Sequence, residues 1–557
     1  MHNPIRIGCA VPNVAVADTE KNAQEICLYI SRAAGACCHV VVFPELALTG
    51  ATCGDLFYQQ LLLTGAQQGL EKIRKCSTAY PDLTVVAGLP VMEDGVLYSA
   101  AAVLRSGKIL GTVWKGQPRP VFTLPDGSTM AVRIGDEGAD TKADLTLHLC
   151  AELQMAGGRD KRRLEAMAAS KGGLYACCGA GWGESVTEGV YGGHSLLARN
   201  GELLAENQNL IDSDYLLWAD SDGAALPPKQ HASIGSDKMP FFTGYEDEIF
   251  TIQASALASR LRLLNAKAVV GVSGGLDSTL ALLVAAEAMH ILGRPATDVV
   301  AITMPGFGTT DRTYDNAMQL MKLLGVTVLE IPIRDAVLQH FADIGHDAKT
   351  RDLTYENAQA RERTQILMDY AGRVGGIVVG TGDLSELALG WCTYNGDHMS
   401  MYAVNGSLPK TLLPEVIRMA AKLPRYSAAE AVLQDVIATP ISPELLPPDE
   451  AGNIAQQTED LVGPYILHDF FLYHTLKNGT APKEIFEKAC CVFEEFDAAT
   501  IKKWLKTFYR RFFTQQFKRN CMPEGVKAID VSLSPRGDWR MPGDASAALW
   551  LKAVDEL

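Results

Sequence analysis

The stretch VVGVSGGLDST, residues 269–279, constrains this chain more than any other. An apolar run from Ala268 to Val272 has the length of a single buried strand, and Ser273-Gly274-Gly275 turns it at once into a helical pattern. No Gly-Lys-Ser/Thr comes after it, so this is not the nucleotide triphosphatase loop that grips phosphate with a lysine. An acid, Asp277, stands where that lysine would be.

The elements beyond the loop fix the kind of sheet. The pattern predicts a helix capped by Asp277 or Ser278 that runs to about Leu292 and stops at Gly293. VVAIT (299–303) reads as a strand, Thr313 to Leu324 as a helix ended by Gly325, and VTVLEI (326–331) as a strand. An amphipathic helix around 356–373 and the strand IVVG (377–380) complete the series. A β-α-β-α-β order of this kind predicts a parallel, doubly wound sheet with its ligand at the carboxyl ends of the strands. There, Ser273, Gly274 and Gly275 present backbone N–H groups, the helix N-terminus adds partial positive charge, and Ser278 adds a hydroxyl. Phosphate is the expected ligand, and Asp277 then reads as a magnesium ligand, the cation bridging carboxylate and phosphate. A bare Ser-Gly-Gly turn also serves as a plain strand–helix connection; the full SGGxDS string after a buried strand is the more specific signal.

A chain of 557 residues exceeds one ordinary core, so at least two domains are expected. A hydrophobic fraction of 47% with 21% charged residues is that of a soluble globular protein, and no apolar run reaches the ~18 residues of a membrane span. The N-terminus MHNPIRIGCAVPN reads as a strand rather than a signal peptide, which makes the cytoplasm the expected compartment. A net charge of −15 argues against a nucleic-acid partner. The 13 cysteines show no CxxC spacing, so neither a disulfide framework nor a structural zinc site is expected, and buried reduced thiols are the plain reading. Composition breaks at 219–245, a polar, Pro/Gly-rich stretch taken as the linker, and a second such stretch at 439–464 reads as a long functional loop.

SGGLDS is the signature of the ATP pyrophosphatase loop, in which ATP is split between its α and β phosphates to adenylate a carbonyl oxygen. TYENAQARER (354–363), GTGDLSELALGWCTYNGDHMSMYAVN (380–405), PKT (409–411), TPISPELLP (439–447), QQFKRN (515–520) and LSPRGDWRMP (533–542) occur after it in order. Together they resemble the synthetase domain of the glutamine-dependent NAD synthetases, over residues 246–557. The resemblance implies an adenine nucleotide α-hydrolase-like domain and roles for individual positions. Gly271, Val272, Ser273, Gly274, Gly275, Leu276, Asp277 and Ser278 would hold ATP, with Met304 at the adenine edge and Thr381 also touching ATP. Asn357, Glu386, Trp391, Cys392, Thr393, Tyr394 and Lys518 would contact deamido-NAD, Lys518 through a phosphate, and Asp277 and Glu386 would share Mg²⁺. Trp391 equally suits a core aromatic, and WLKTFYRRFFTQQFKRN (504–520) suits either an amphipathic helix or a basic–aromatic surface for single strands. The chemistry implied is ATP-dependent amidation of deamido-NAD to NAD, giving AMP and pyrophosphate. ATP-pyrophosphatase enzymes that modify tRNA or purine precursors share the loop, and the acidic charge speaks against them.

The first half carries a second resemblance. HVVVFPELALTGATCGDLF (39–57) is a buried strand running into Glu45, VWKG (113–116) ends a strand in Lys115, and 177–206 reads as two short strands joined by glycine turns. These resemble the nitrilase-like glutaminase domain, an α-β-β-α sandwich, over roughly 1–218. In such amidases a Glu deprotonates a Cys thiol and a Lys stabilises the oxyanion, roles that fall to Glu45 and Lys115. The resemblance also implies a homo-oligomer, octameric in bacterial relatives.

The nucleophile departs from the pattern. Where the family reads Ile-Cys-Glu-Asp, this chain reads VRIGDE (132–137), with Gly135 in the cysteine's place. Val121 stands in place of a substrate-contacting tyrosine, and the Asn-Leu-Ser-x-Ser segment appears as HLCAE (148–152), ending in Glu152. Loss of such a nucleophile typically costs on the order of 10⁶-fold. Three explanations compete: Cys150 serves instead, Cys177 or Cys178 serves, or the glutaminase is dead and ammonia is the nitrogen source. Taking STMAVRIGDE (128–137) as the nucleophile strand and ADLTLHL (143–149) as the next one keeps every element of the sandwich, which favours the dead site; the first half would then be an oligomerisation scaffold.

Overall fold

The computed structural model describes every residue except 1–3, 119, 137–141, 228–236, 242–243, 442–444 and 446–457. The chain divides into two compact units, Met1–His231 and Ala232–Leu557. Glu137, most of the 439–464 stretch and much of 219–245 therefore lie outside the described residues.

The first unit is built on two six-stranded sheets. One contains β1 (Arg6–Val11), β2 (Val40–Val42), β3 (Thr84–Glu93), β4 (Val96–Arg105), β5 (Lys108–Trp114) and β12 (Tyr215–Asp220), in the order β12-β1-β2-β3-β4-β5. The other contains β6 (Phe122–Thr123), β7 (Thr129–Ile134), β8 (Leu145–Cys150), β9 (Leu174–Gly179), β10 (Ser195–Arg199) and β11 (Glu202–Glu206), in simple order from β11 to β6. Side chains alternate across each strand, so the apolar runs are buried on both faces. Val40, Val42 and Val103 meet Val132, Leu147, Leu149 and Cys178 in a core between the sheets. Val41, Val85 and Leu104 point the other way, under Ile26, Ile30 and Ile73 of the helices Thr19–Gly35 and Gln60–Ser77. Cys150, Tyr175 and Cys177 point outward from the second sheet, where Ala166 of the helix Gly158–Ala169 covers them. This is the α-β-β-α sandwich expected. The segment 177–206 contributes three strands to it, β9 to β11, instead of the two expected, because NGE (200–202) makes a hairpin turn with Asn200 and Gly201 both at positive φ.

The second unit carries a five-stranded sheet: β13 (Lys267–Gly271), β14 (Val299–Thr303), β15 (Thr327–Glu330), β16 (Gly376–Gly380) and β17 (Tyr402–Ala403). Its order is β15-β14-β13-β16-β17, with every pairing parallel. The chain winds outward from β13 to β15 and then returns to the other side of β13, so β13 and β16 flank a switch point where the loops after them diverge. The helix after β13 spans Leu276–Ile291, and Gly275 is its N-cap, not Asp277 or Ser278 as the pattern suggested. The turn is tighter than a side-chain cap allows: Ser278 Oγ folds back to accept from Ser273 N at 3.2 Å and to donate to Gly275 O at 3.2 Å. Three neighbouring helix starts do carry side-chain caps, with Thr310, Asp352 and Asp383 accepting N–H bonds from the first turns of Asp311–Leu323, Leu353–Val374 and Leu384–Leu389.

Candidate functional site

The switch point of the second unit gathers most of the residues singled out in the sequence. Gly274 has φ +91° and lies so close to Thr313 O that an added Cβ would be 2.1 Å from it; only glycine fits this turn. Val272 N donates to Ile302 O, which ties the loop to β14, and Met304, just past β14, is buried beside Gly271. Across the switch point, Asn405 Nδ2 donates to both Asp277 O and Thr381 O at 3.0 Å, clamping the two loops together.

At the floor of this crevice is a lysine to which the sequence pattern assigns no role. Lys410 Nζ lies 2.8 and 2.9 Å from the two oxygens of Asp277, 2.8 Å from Glu386 Oε1 and 2.7 Å from Asp383 Oδ2. Burial alone would lower the lysine's pKa, but the three carboxylates outweigh it and hold the ammonium well above its ordinary value. Burial also pushes the Asp383 and Glu386 carboxyls above the usual carboxylate range, and Lys410 opposes that rise. Oxygens of Asp277, Asp383 and Glu386 all lie within 4.8 Å of one another. Such an all-oxygen, multiply acidic set fits a hard divalent cation. Asp383 and Lys410 lie inside motifs quoted above (GTGDLSE and PKT). What was missing was any sign that they converge.

The residues expected at the dinucleotide fall into two groups. Thr393 Oγ1 donates to Asn357 Oδ1 at 2.9 Å, joining the helix Leu353–Val374 to the 391–394 loop. Thr381, Glu386 and Cys392 line one pocket with Asp397 and His398, two residues that sequence reasoning missed. Burial raises the Asp397 carboxyl, and Thr393 N donates to it at 2.6 Å. Tyr394 is 44% exposed and stacks on His398. Trp391 is half-buried beneath the Arg511 guanidinium, 5.2 Å from its ring centroid. Lys518 Nζ donates to Gly390 O and Cys392 O at 2.6 and 2.7 Å, while Arg511 and Arg519 donate to the carbonyls of Leu387, Ala388 and Leu389. Three cations thus cap the C-terminal end of the helix Leu384–Leu389, where the dipole is negative. The aromatic face of the helix Ala498–Thr514 is core: Trp504, Phe508, Tyr509, Phe512 and Phe513 are all buried.

In the first unit, Glu45, Lys115 and Gly135 come together. Glu45 is buried just beyond β2, and Lys115 Nζ approaches its Oε1 to 3.4 Å. Burial would lower the Lys115 ammonium, but Glu45 and Asp136 outweigh it and raise it. Gly135 comes directly after β7 with φ +61°, a left-handed turn that glycine adopts freely and a side-chain-bearing residue only with strain. A Cβ built there would sit 3.1 Å from Glu45 Oε2 and collide with Lys115 Nζ at 2.3 Å. The lysine thus fills the space a nucleophilic side chain would need. Cys150 ends β8, and its Sγ points into the outer layer against Cys177 Sγ at 3.2 Å. Cys178 faces the core between the sheets and donates to Ala10 O. Glu152 is paired with Arg162 at 2.7 Å, and Val121 is 44% exposed.

The chain matches two family profiles, carbon-nitrogen hydrolase over residues 6–129 and NAD synthase over residues 253–512. A glutamine-dependent NAD(+) synthetase of Mycobacterium tuberculosis is 34% identical over 674 aligned positions, which cover 100% of this chain and 98% of the relative. Among solved structures, a glutamine-dependent NAD(+) synthetase from Cytophaga hutchinsonii superposes with TM-score 0.80 over 100% of both chains at 20% identity. Another, from Acinetobacter baumannii in complex with ADP, superposes with TM-score 0.66 over 96% of this chain and 97% of that one, also at 20% identity. These two show the same fold. The helices are also in keeping with it, since none among the described residues is long and apolar enough to cross a membrane. With an amidase sandwich ahead of an ATP-type loop and its carboxylates, and kinship along its whole length, the chain belongs to the glutamine-dependent NAD(+) synthetase family, ligases of NAD biosynthesis.

Proposed function

We propose that this protein makes NAD from deamido-NAD, ATP and free ammonia, its amidase half having lost glutamine hydrolysis. A nicotinate carboxylate is a poor electrophile, and transfer of AMP to its oxygen creates a leaving group that ammonia can displace. The N–H groups of Ser273, Gly274 and Gly275 are suited to cradle the phosphates, and the clamp through Asn405 holds that loop against Thr381. Asp277 and Glu386, with Asp383 behind them, would hold Mg²⁺, which when bound supplies positive charge at the departing pyrophosphate. Lys410 contributes a second, protein-borne positive charge at the same end of the site. The pocket formed by Thr381, Cys392, Asp397 and His398 would take one end of the dinucleotide.

The observation behind the nitrogen source is the collision at Gly135. The base and the lysine are present, but the position between them has no side chain, and Lys115 fills the space. Support comes also from the hydrolase match, which takes in Glu45 and Lys115 and ends at residue 129, before the nucleophile strand's end. The 674 aligned positions exceed this chain's 557 residues, so its relative carries well over a hundred residues that this chain lacks. The test is AMP release by the full chain with ATP, Mg²⁺ and deamido-NAD, supplied with either ammonium or glutamine. AMP and NAD should form with ammonium and hardly at all with glutamine. ADP in place of AMP would refute adenylation, and glutamine-driven synthesis that vanishes in Cys150→Ala would make Cys150 the nucleophile.

A further inference from the structure

We propose that His148, Cys150 and Cys177 form a buried site for a thiophilic divalent metal ion of the zinc class on the outer face of the second sheet. The sequence offers no CxxC pair, and parallel pairing supplies the juxtaposition instead. In the β8–β9 register His148 stands opposite Cys177, and Cys150 lies two residues farther along the same face. One donor atom from each of the three lies within 4.8 Å of the others, and all three residues are buried.

Three features go beyond proximity. First, His148 Nε2 lies 2.6 Å from Gly135 O. A carbonyl only accepts, so Nε2 carries the proton and Nδ1 presents its lone pair toward Tyr175 and the thiols. A histidine oriented by a backbone carbonyl through its other nitrogen is the usual arrangement of a metal ligand, and the ion would displace the Tyr175 hydroxyl from Nδ1. Second, the spacing of the sulfurs favours coordination over a bond. They stand 3.2 Å apart. Two thiolates at about 2.3 Å from a tetrahedral ion are about 3.8 Å apart, an opening of roughly 0.6 Å. A disulfide at about 2.05 Å needs a closure of roughly 1.1 Å between strands already fixed by their ladder. Third, the charges balance. A dication with two thiolates and a neutral imidazole is neutral, and the nearby Arg162 guanidinium is already paired with Glu152 at 2.7 Å. No uncompensated charge is buried. Because His148 also holds the carbonyl of Gly135, the ion would stiffen the elbow where a nucleophile would otherwise stand.

The experiment uses the full-length chain, stripped with a chelator under reducing conditions and titrated with Co²⁺, then with Zn²⁺. One Co²⁺ per chain should bind with a near-ultraviolet thiolate-to-metal band, and Zn²⁺ should abolish it. Cys150→Ser and Cys177→Ser should each remove the thiolate band's full intensity, and His148→Gln should weaken binding at least about tenfold, the least expected even of an outer-shell partner. Cys178→Ser, on the opposite face, should change nothing. Amide hydrogen exchange of β8 and β9 reports that the first unit of each variant stays folded. Absence of the thiolate band in the wild-type chain would overturn the site, as would a band that survives loss of both cysteines. So would a metal-free Cys150–Cys177 disulfide found by mass spectrometry in protein purified without reductant.

Discussion

Restoring a cysteine at residue 135 tests the amidase reading at its weakest point. Gly135 has φ +61°, and an L-residue in that conformation costs about 1–2 kcal/mol. Its Cβ would also evict Lys115, whose Nζ would be only 2.3 Å away. The lysine side chain is 36% exposed, so it can swing out, and the lost pairing with Glu45 adds up to about 1 kcal/mol. Gly135→Cys should therefore destabilise the elbow by about 2 kcal/mol, and Gly135→Ala should do the same, since both effects come from Cβ. Hydrogen exchange reads this directly. The Gly135 amide donates to Leu149 O, and its exchange, with that of β7 and β8, should accelerate roughly 30-fold. Glutamine use should not return. Even with its thiol, the site lacks the aromatic at Val121, and Glu152 presents a carboxylate locked to Arg162 where a small hydroxyl is expected. AMP release driven by glutamine should stay at least about a hundredfold below that driven by ammonium, so that most of the rate a nucleophile supplies is not regained. Glutamine-driven synthesis within tenfold of the ammonium rate would refute the argument from Val121 and Glu152. Unchanged exchange would refute the collision.

Replacing Asp277 with Asn should lower ammonium-driven AMP release by roughly 10²–10³-fold, because charge stabilisation at the leaving pyrophosphate is lost; a rate within threefold of wild type would remove Asp277 from the metal site. Lys410→Met leaves three carboxylates without their cation and should destabilise the second unit by about 3–5 kcal/mol in urea with EDTA, and added Mg²⁺ should recover part of that loss. His468 is buried, with Nε2 on Val462 O, and burial lowers its pKa to about 4, the Arg511 charge adding to this effect. The native state thus keeps it neutral while the unfolded chain protonates it below about 6.5, so stability is intact above that pH and falls as pH drops toward 4. The loss, about 3 kcal/mol, should be absent in His468→Gln when unfolding is compared at the two ends of that range. The full chain should form a homo-oligomer larger than a dimer, and a monomeric mass by light scattering at micromolar concentration would contradict this.

Legibility tracked sequence distance. Most strands and helices of 267–380 could be read to within three residues because each depends on neighbours, through apolar runs of strand length and glycine stops. The helix Arg334–Ile344 was not read, and the caps Thr310 and Asp352 start their helices two to three residues earlier than the pattern suggested. The Gly275 cap was misread because Ser278 satisfies the loop behind it and not the helix ahead, a choice that depends on a turn three residues deep. Glu45, Lys115, Asp277 and Glu386 could be singled out from the motifs around them, and the structure brings each pair together. Lys410 and Asp383 also sit in quoted motifs, PKT and GTGDLSE, but were given no role, since a lysine in sequence shows nothing of the carboxylates it will meet.

The sequence by itself determined the two-part architecture, the parallel winding of the second sheet and the presence of glycine, not a thiol, at residue 135. These are properties of local pattern and of which atoms a residue carries. Tertiary structure alone decided where charges and soft ligands converge. Lys410 reaches Asp277 across 133 positions, and Cys177 reaches Cys150 across 27. Parallel strands bring their ends together only after a crossover, so residues distant in the chain become neighbours at a switch point or across one sheet face. The same reason explains Lys115. Its sequence position suggested a stabiliser of an oxyanion, and the folded chain shows its ammonium occupying the room that a side chain at residue 135 would need beside Glu45.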